Sequence, residues 1–244
     1  MAVTYQAVGT LQSGVGALTV TWPTHLTNDI GVLVVETDGA GANMATPASW
    51  NLLAGPITDV ASAAGSKLYA FWRRATSAAM GTVAVPDSGD HQIARIFTFR
   101  GGLLASSPID VSTSSTKTTA STTVTIPAVV TTVDNTLVVW VVSRPDDTAL
   151  TTHFPVATFA GLTGVAEAAE AGSTQGNGGG FTVQYGAEPT AGSTGTGTIS
   201  PLAVSTTNSI IVFALKEAPI VARYILVTRW QTTRLLVGLA CQRP

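Results

Sequence analysis

Chemistry needs particular side chains at particular spacings, and this sequence offers few of them. Its three histidines, His25, His91 and His153, lie far apart. No HExxH or CxxC accompanies them, so spacing supplies no zinc or haem arrangement and reads them as loop or edge residues. Gly65-Ser-Lys67 lacks both the upstream glycine and the Gly-Lys-Ser/Thr ending of a phosphate-binding loop. The GNGGG run does not follow a strand and open a helix, so it is a poor phosphate cradle. No GxSxG elbow is present. A glycosidase needs two placed carboxylates, one with a raised pKa. Glu36, Glu167, Glu170 and Glu188 have no pairing in their spacing and read as surface acids. Asp38, Asp87, Asp90, Asp146 and Asp147 fall in turns, where aspartate bonds local backbone. Oxygen-rich loops of this kind bind calcium weakly at best without EF-hand spacing. No catalytic residue, cofactor or metal site is therefore assigned, and the chain reads as non-enzymatic.

The aromatic residues allow one binding chemistry, the stacking of sugars. Trp72 and Trp140 fall within expected strands and read as core. Trp22 and Trp50 border turns, where exposure is an option, though burial is the usual use of such rings. Glycan binding through the loops 38–46, 86–91 and 172–180 is accordingly kept as the alternative function.

The elements that must position these residues are strands. Of 244 residues 45% are hydrophobic and only 11% charged, with a net charge of -2. Disorder requires the opposite balance, and a nucleic-acid binder usually carries a basic excess. Lysine occurs only at Lys67, Lys117 and Lys216, too few for a long helical bundle. Abundant Thr, Val and Gly point to short strands and turns. Cys241 is the sole cysteine, so no intrachain disulfide forms. MAVTYQAVGT carries no signal-peptide pattern, and no run reaches the about 18 apolar residues of a membrane span. The expectation is a chain made in the cytoplasm, with neither nucleic acid nor membrane insertion among its partners.

Strand patterns recur along the chain. Ala17–Trp22 alternates and stops at Pro23. Ile30–Glu36 is a β-branched run of the kind buried on both faces. In Lys67–Arg73, Leu68, Ala70 and Trp72 share one face, Tyr69 and Phe71 the other. Thr82–Val85 and Gln92–Phe99 follow. Thr122–Ile126, Asn135–Val142, Gly180–Tyr185, Gly195–Ile199 and Ser209–Leu215 answer them in the same order, at a spacing of about 105 residues. The fold class is all-β, a jelly-roll-like β-sandwich read as two duplicated halves, 1–103 and 104–217. Regular strand intervals in any sandwich are the competing explanation. Ser112–Thr123 reads as a flexible crossing or an exposed edge strand. Gly172–Gly180 reads as a mobile loop, and Val165–Ala171 as a short helix or loop.

Residues 218–244 differ in character: four arginines and no acid follow Pro219. Ala222, Tyr224, Leu226, Thr228 and Trp230 share a face at period two, with Arg223 and Arg229 opposite. A hairpin through Gln231–Thr233 is expected. It either extends the chain's own sheet or serves as an arm that adds a strand to a neighbouring subunit. In the second case Arg223, Tyr224, Leu226, Arg229, Trp230 and Arg234 are the docking residues.

A series of short motifs carries a resemblance. Pro23…Asp29-Ile-Gly-Val-Leu-Val-Val is followed by Thr46-Pro-Ala-Ser-Trp50-Asn-Leu-Leu and Leu68-Tyr-Ala-Phe-Trp-Arg-Arg-Ala75. Ile96-Phe-Thr-Phe-Arg-Gly-Gly102 and Ser107-Pro-Ile-Asp-Val111 complete it. Over residues 15 to 216 the series resembles a group of bacteriophage virion proteins, although Asn28-Asp29 stands where many of them have Gly-Asp. The resemblance implies a β-sandwich on the exterior of a tailed-phage particle, as a minor tail, fibre or baseplate component or a capsid decoration. It implies no catalytic residues. The expected partners are other virion proteins, copies of the chain itself in a cyclic assembly, and host surface glycan.

Overall fold

A computed structural model describes residues 2–102, 106–149, 151–174 and 179–217. Among them there are fifteen strands and no helix. No described helix is long and apolar enough to cross a membrane. The first half contains β1 (Thr4–Val8), β2 (Gln12–Val15), β3 (Leu18–Thr21), β4 (Ile30–Asp38), β5 (Asn51–Thr58), β6 (Ser66–Arg74), β7 (Thr82–Val85) and β8 (His91–Arg100). The second contains β9 (Ile109–Ser121), β10 (Val124–Ile126), β11 (Thr136–Arg144), β12 (Thr163–Ser173), β13 (Gly179–Glu188), β14 (Gly197–Ile199) and β15 (Thr206–Leu215).

Each half builds a large antiparallel sheet and a two-stranded ribbon. The large sheets run β1-β8-β4-β6-β5, with β2 also on β8, and β9-β15-β11-β13-β12. The ribbons are β3-β7 and β10-β14. Apart from β2, which has no counterpart, replacing each strand of the first half by its equivalent in the second reproduces the strand order.

Side-chain alternation explains why these layers stack. Val32 and Val34 of β4 point into a core shared by both halves, while Leu33 and Val35 point into a core under the β3-β7 ribbon. In β11, Leu137, Val139 and Val141 enter the shared core, and Val138, Trp140 and Val142 face the β10-β14 ribbon. The central strands thus have two apolar faces and are buried along their whole length. The result is four layers: ribbon, sheet, sheet, ribbon. The shared middle layer holds Phe97, Phe99, Phe181 and Phe213. Complete burial of each such side chain stabilises by about 1.5–3 kcal/mol.

The structure revises two sequence expectations and decides between the alternatives of a third. Val165–Ala171 is neither helix nor loop but lies within edge strand β12. Its alanines and glutamates suit a helix, yet pairing with β13 prevails because tertiary context overrides weak propensity. In Gly172–Gly180, Gly172 and Ser173 close β12 and Gly179 and Gly180 open β13. Ser112–Thr123 is edge strand for most of its length, since β9 pairs with β15. The expected arm at 218–244, with Arg223, Tyr224, Leu226, Arg229, Trp230 and Arg234, lies outside the described residues.

Candidate functional site

The antiparallel pairing of β4 with β8 sets Thr37 against Gln92. It thereby brings the end of β4 beside the start of β8, although 51 residues separate them in Thr37 and Ser88. Glu36 occupies the next position on the face that carries Val32 and Val34. Its carboxylate therefore enters the seam between the large sheets and is fully buried. Gly179 of β13 lies against that carboxylate and leaves no room for a Cβ. Among the described residues the Glu36 carboxylate has no partner at hydrogen-bond distance. Its nearest charged partner is His91, whose Nε2 is 3.8 Å from Oε2. Burial pushes the Glu36 pKa up to about 7, against the pull of His91 and Arg144 and with the help of Asp59.

His91 is buried, with 1% of its surface exposed. Among the described residues neither ring nitrogen has a hydrogen-bond partner. Nδ1 stands 3.6 Å from Asp90 Oδ1. Burial opposes protonation of this ring, but Glu36, Asp90 and Asp38 outweigh it and raise the pKa. Asp38, Asp90 and His91 each place one ligand-type atom within 4.8 Å of the others.

Backbone bonds hold the loops that carry these groups. Ala40 N–H donates to Asp38 Oδ1 at 2.5 Å and His91 N–H to Asp90 Oδ1 at 2.6 Å. Thr37 Oγ1 donates to the His91 carbonyl at 2.7 Å and also meets Ser88 Oγ at 2.7 Å. Ala42 N–H donates to the Ser88 carbonyl at 2.8 Å. Lys67, nearly buried, donates to the Gly41 carbonyl. Loops 38–46 and 86–91 are therefore joined to each other, and Gly179 of β13 lies against Glu36 at the same end of the sheets.

At this end the shared interface turns polar. Ser66 Oγ and Ser143 Oγ are 2.6 Å apart across the two halves, and Ser209 Oγ donates to the Ser66 carbonyl at 3.3 Å. Arg144 is fully buried and pairs with Asp146. On the second half an open cleft of about 380 Å³ is lined by Thr151, Thr152, His153, Phe154, Glu167 and Pro201, among others. Burial raises the Glu167 pKa, and Thr182 Oγ1 donates to its carboxylate at 2.8 Å. Next to the cleft, Glu170 accepts the His153 and Phe154 N–H groups at 2.8 and 3.0 Å.

One sequence expectation changes here. Glu36, Glu170 and Glu188 are buried rather than surface acids, and Glu167 is half-buried. All three histidines are buried. Trp22 and Trp50 are buried, the favoured use of such rings, and packed together with ring centroids 5.4 Å apart. The grouping of Asp38, Asp90 and His91 was hidden because each sits in an ordinary turn sequence. The one readable signal was an acid, Glu36, on the apolar face of an otherwise β-branched strand.

The architecture defines an all-β protein of stacked antiparallel sheets. Comparison with protein families, with curated proteins and with solved structures gives no match.

Proposed function

We propose that the chain is a non-enzymatic structural protein of a tailed-phage virion, placed on the particle exterior and assembled through subunit contacts. One observation carries the reading: the motifs behind the resemblance do framework work. Asp29, 2% exposed, receives both Nε and Nη2 of Arg100 at 2.9 and 2.8 Å. Ala75 and Asp29 are joined backbone to backbone at 2.8 Å. Gly31 is roofed by Trp22, which packs on Trp50. Asp110 fastens Thr132 N–H at 2.7 Å. Residues used in this way maintain a shape, and a shape is what a particle component supplies.

Gold-labelled antibody imaging of purified particles tests the proposal. Label on the tail supports a minor tail, fibre or baseplate role, and label over the capsid supports decoration. Particles without label overturn it. Removing residues 219–244 is expected to leave a folded protein that no longer joins the particle, and normal incorporation would discard the docking arm.

A second reading, a carbohydrate- or receptor-binding module, is favoured by the joining of loops 38–46 and 86–91 and by the cleft around Glu167. Sugar hydroxyls suit a carboxylate flanked by threonines, and rings suit Phe154 and Pro201. Saturable binding of host surface polysaccharide, weakened by Glu167→Ala, is the expected result; flat isotherms would end this reading.

A further inference from the structure

A buried imidazole with no hydrogen-bond partner at either nitrogen among the described residues needs a physical reason, because such groups cost free energy unless satisfied. His91 is that case. Nε2 faces the buried Glu36 carboxylate, and Nδ1 faces Asp90. Three carboxylates, Glu36, Asp38 and Asp90, surround the ring electrostatically. Donors that each stand about 2.1 Å from one cation lie about 3 to 4 Å from each other. The His91 Nδ1 to Asp90 Oδ1 distance of 3.6 Å has that spacing.

We propose that Asp38, Asp90 and His91 bind a divalent transition-metal cation of the zinc or manganese class. The mixed set of two carboxylates and one imidazole selects this class, since calcium and magnesium favour all-oxygen sites. Nδ1 is the ligating nitrogen. Glu36 is a positioning residue behind it: its carboxylate, 3.8 Å from Nε2, favours the proton on that nitrogen electrostatically and so leaves Nδ1 free to ligate. The cation would clamp the turn after β4 to the turn before β8. The remaining coordination positions face outward through Asp90, which is 35% exposed.

The test is calorimetric titration of the full chain, stripped with chelator, with Zn2+ and with Mn2+ separately. One equivalent of at least one of them is expected to bind and to raise the melting temperature. Asp90→Asn and Asp38→Asn are expected to remove that binding, and Glu36→Gln to weaken it about ten-fold. His25→Gln is expected to change nothing. Absence of binding by both ions, or binding undiminished in Asp90→Asn, overturns the proposal. A readout on the unsubstituted chain covers variants that misfold. With histidine labelled by 15N, Zn2+ should shift the ring nitrogens of His91. Shifts confined to His25 or His153 overturn the proposal as well.

Discussion

Gly31 shows how one residue can be fixed by its neighbour. It lies in the middle of a β-branched run, where glycine weakens a strand. The Trp22 ring occupies the space a Cβ would need, and that ring is buried against Trp50. Gly31→Ala is expected to cost about 1–3 kcal/mol through overpacking, measured by denaturant unfolding. Glu170 supplies a pH-dependent counterpart. Burial raises its pKa despite two backbone donors, so the folded state holds this proton more tightly than the unfolded chain does. The stability associated with it is full below the ordinary carboxylate pKa. It is lost as pH rises through the raised folded value. Glu170→Gln is expected to flatten the stability curve across that window, and an unchanged slope would show that Glu170 does not set it.

Among the elements, the two-faced strands were the most legible in sequence. Ile30–Glu36 and Asn135–Val142 announced burial on both faces because neither carries a polar alternation, and β4 and β11 are the centres of their sheets. The assignment of Leu68, Ala70 and Trp72 to one face of β6 and Tyr69 and Phe71 to the other matches the two cores. Edge strands were harder. β5 carries Gly55-Pro56 and register shifts, and Val165–Ala171 within β12 reads as short helix or loop, so local composition argued against both. The Glu36–His91 grouping was illegible because it depends on the β4–β8 register, which no local pattern encodes. The energetic contrast between element classes is measurable. Phe213→Ala in β15, at the shared core, is expected to cost about 3–5 kcal/mol. Thr118→Ala on the exposed part of β9 should stay within about 0.5 kcal/mol.

For the whole molecule, the shared core makes the halves interdependent although each has its own strand order and ribbon. Separating them would bare the faces that hold Val32, Phe97, Val139 and Phe213. Residues 1–102 expressed alone are therefore expected to aggregate or to lose fixed packing. The full chain should unfold in one transition with equal calorimetric and van't Hoff enthalpies. Two resolved transitions would mean that the inter-half core contributes little.

The strand directions also give the molecule two unlike poles. Thr4 pairs with Arg100, and Gly102 bridges to Glu217, so the entry into β1, the passage between halves and the exit from β15 share one pole. Glu36, Asp38, Asp90 and His91 occupy the other, separated from it by the length of β8, about 30 Å. A chain tethered through whatever follows Glu217 would therefore hold its polar loops outward, at arm's length from the surface that carries it.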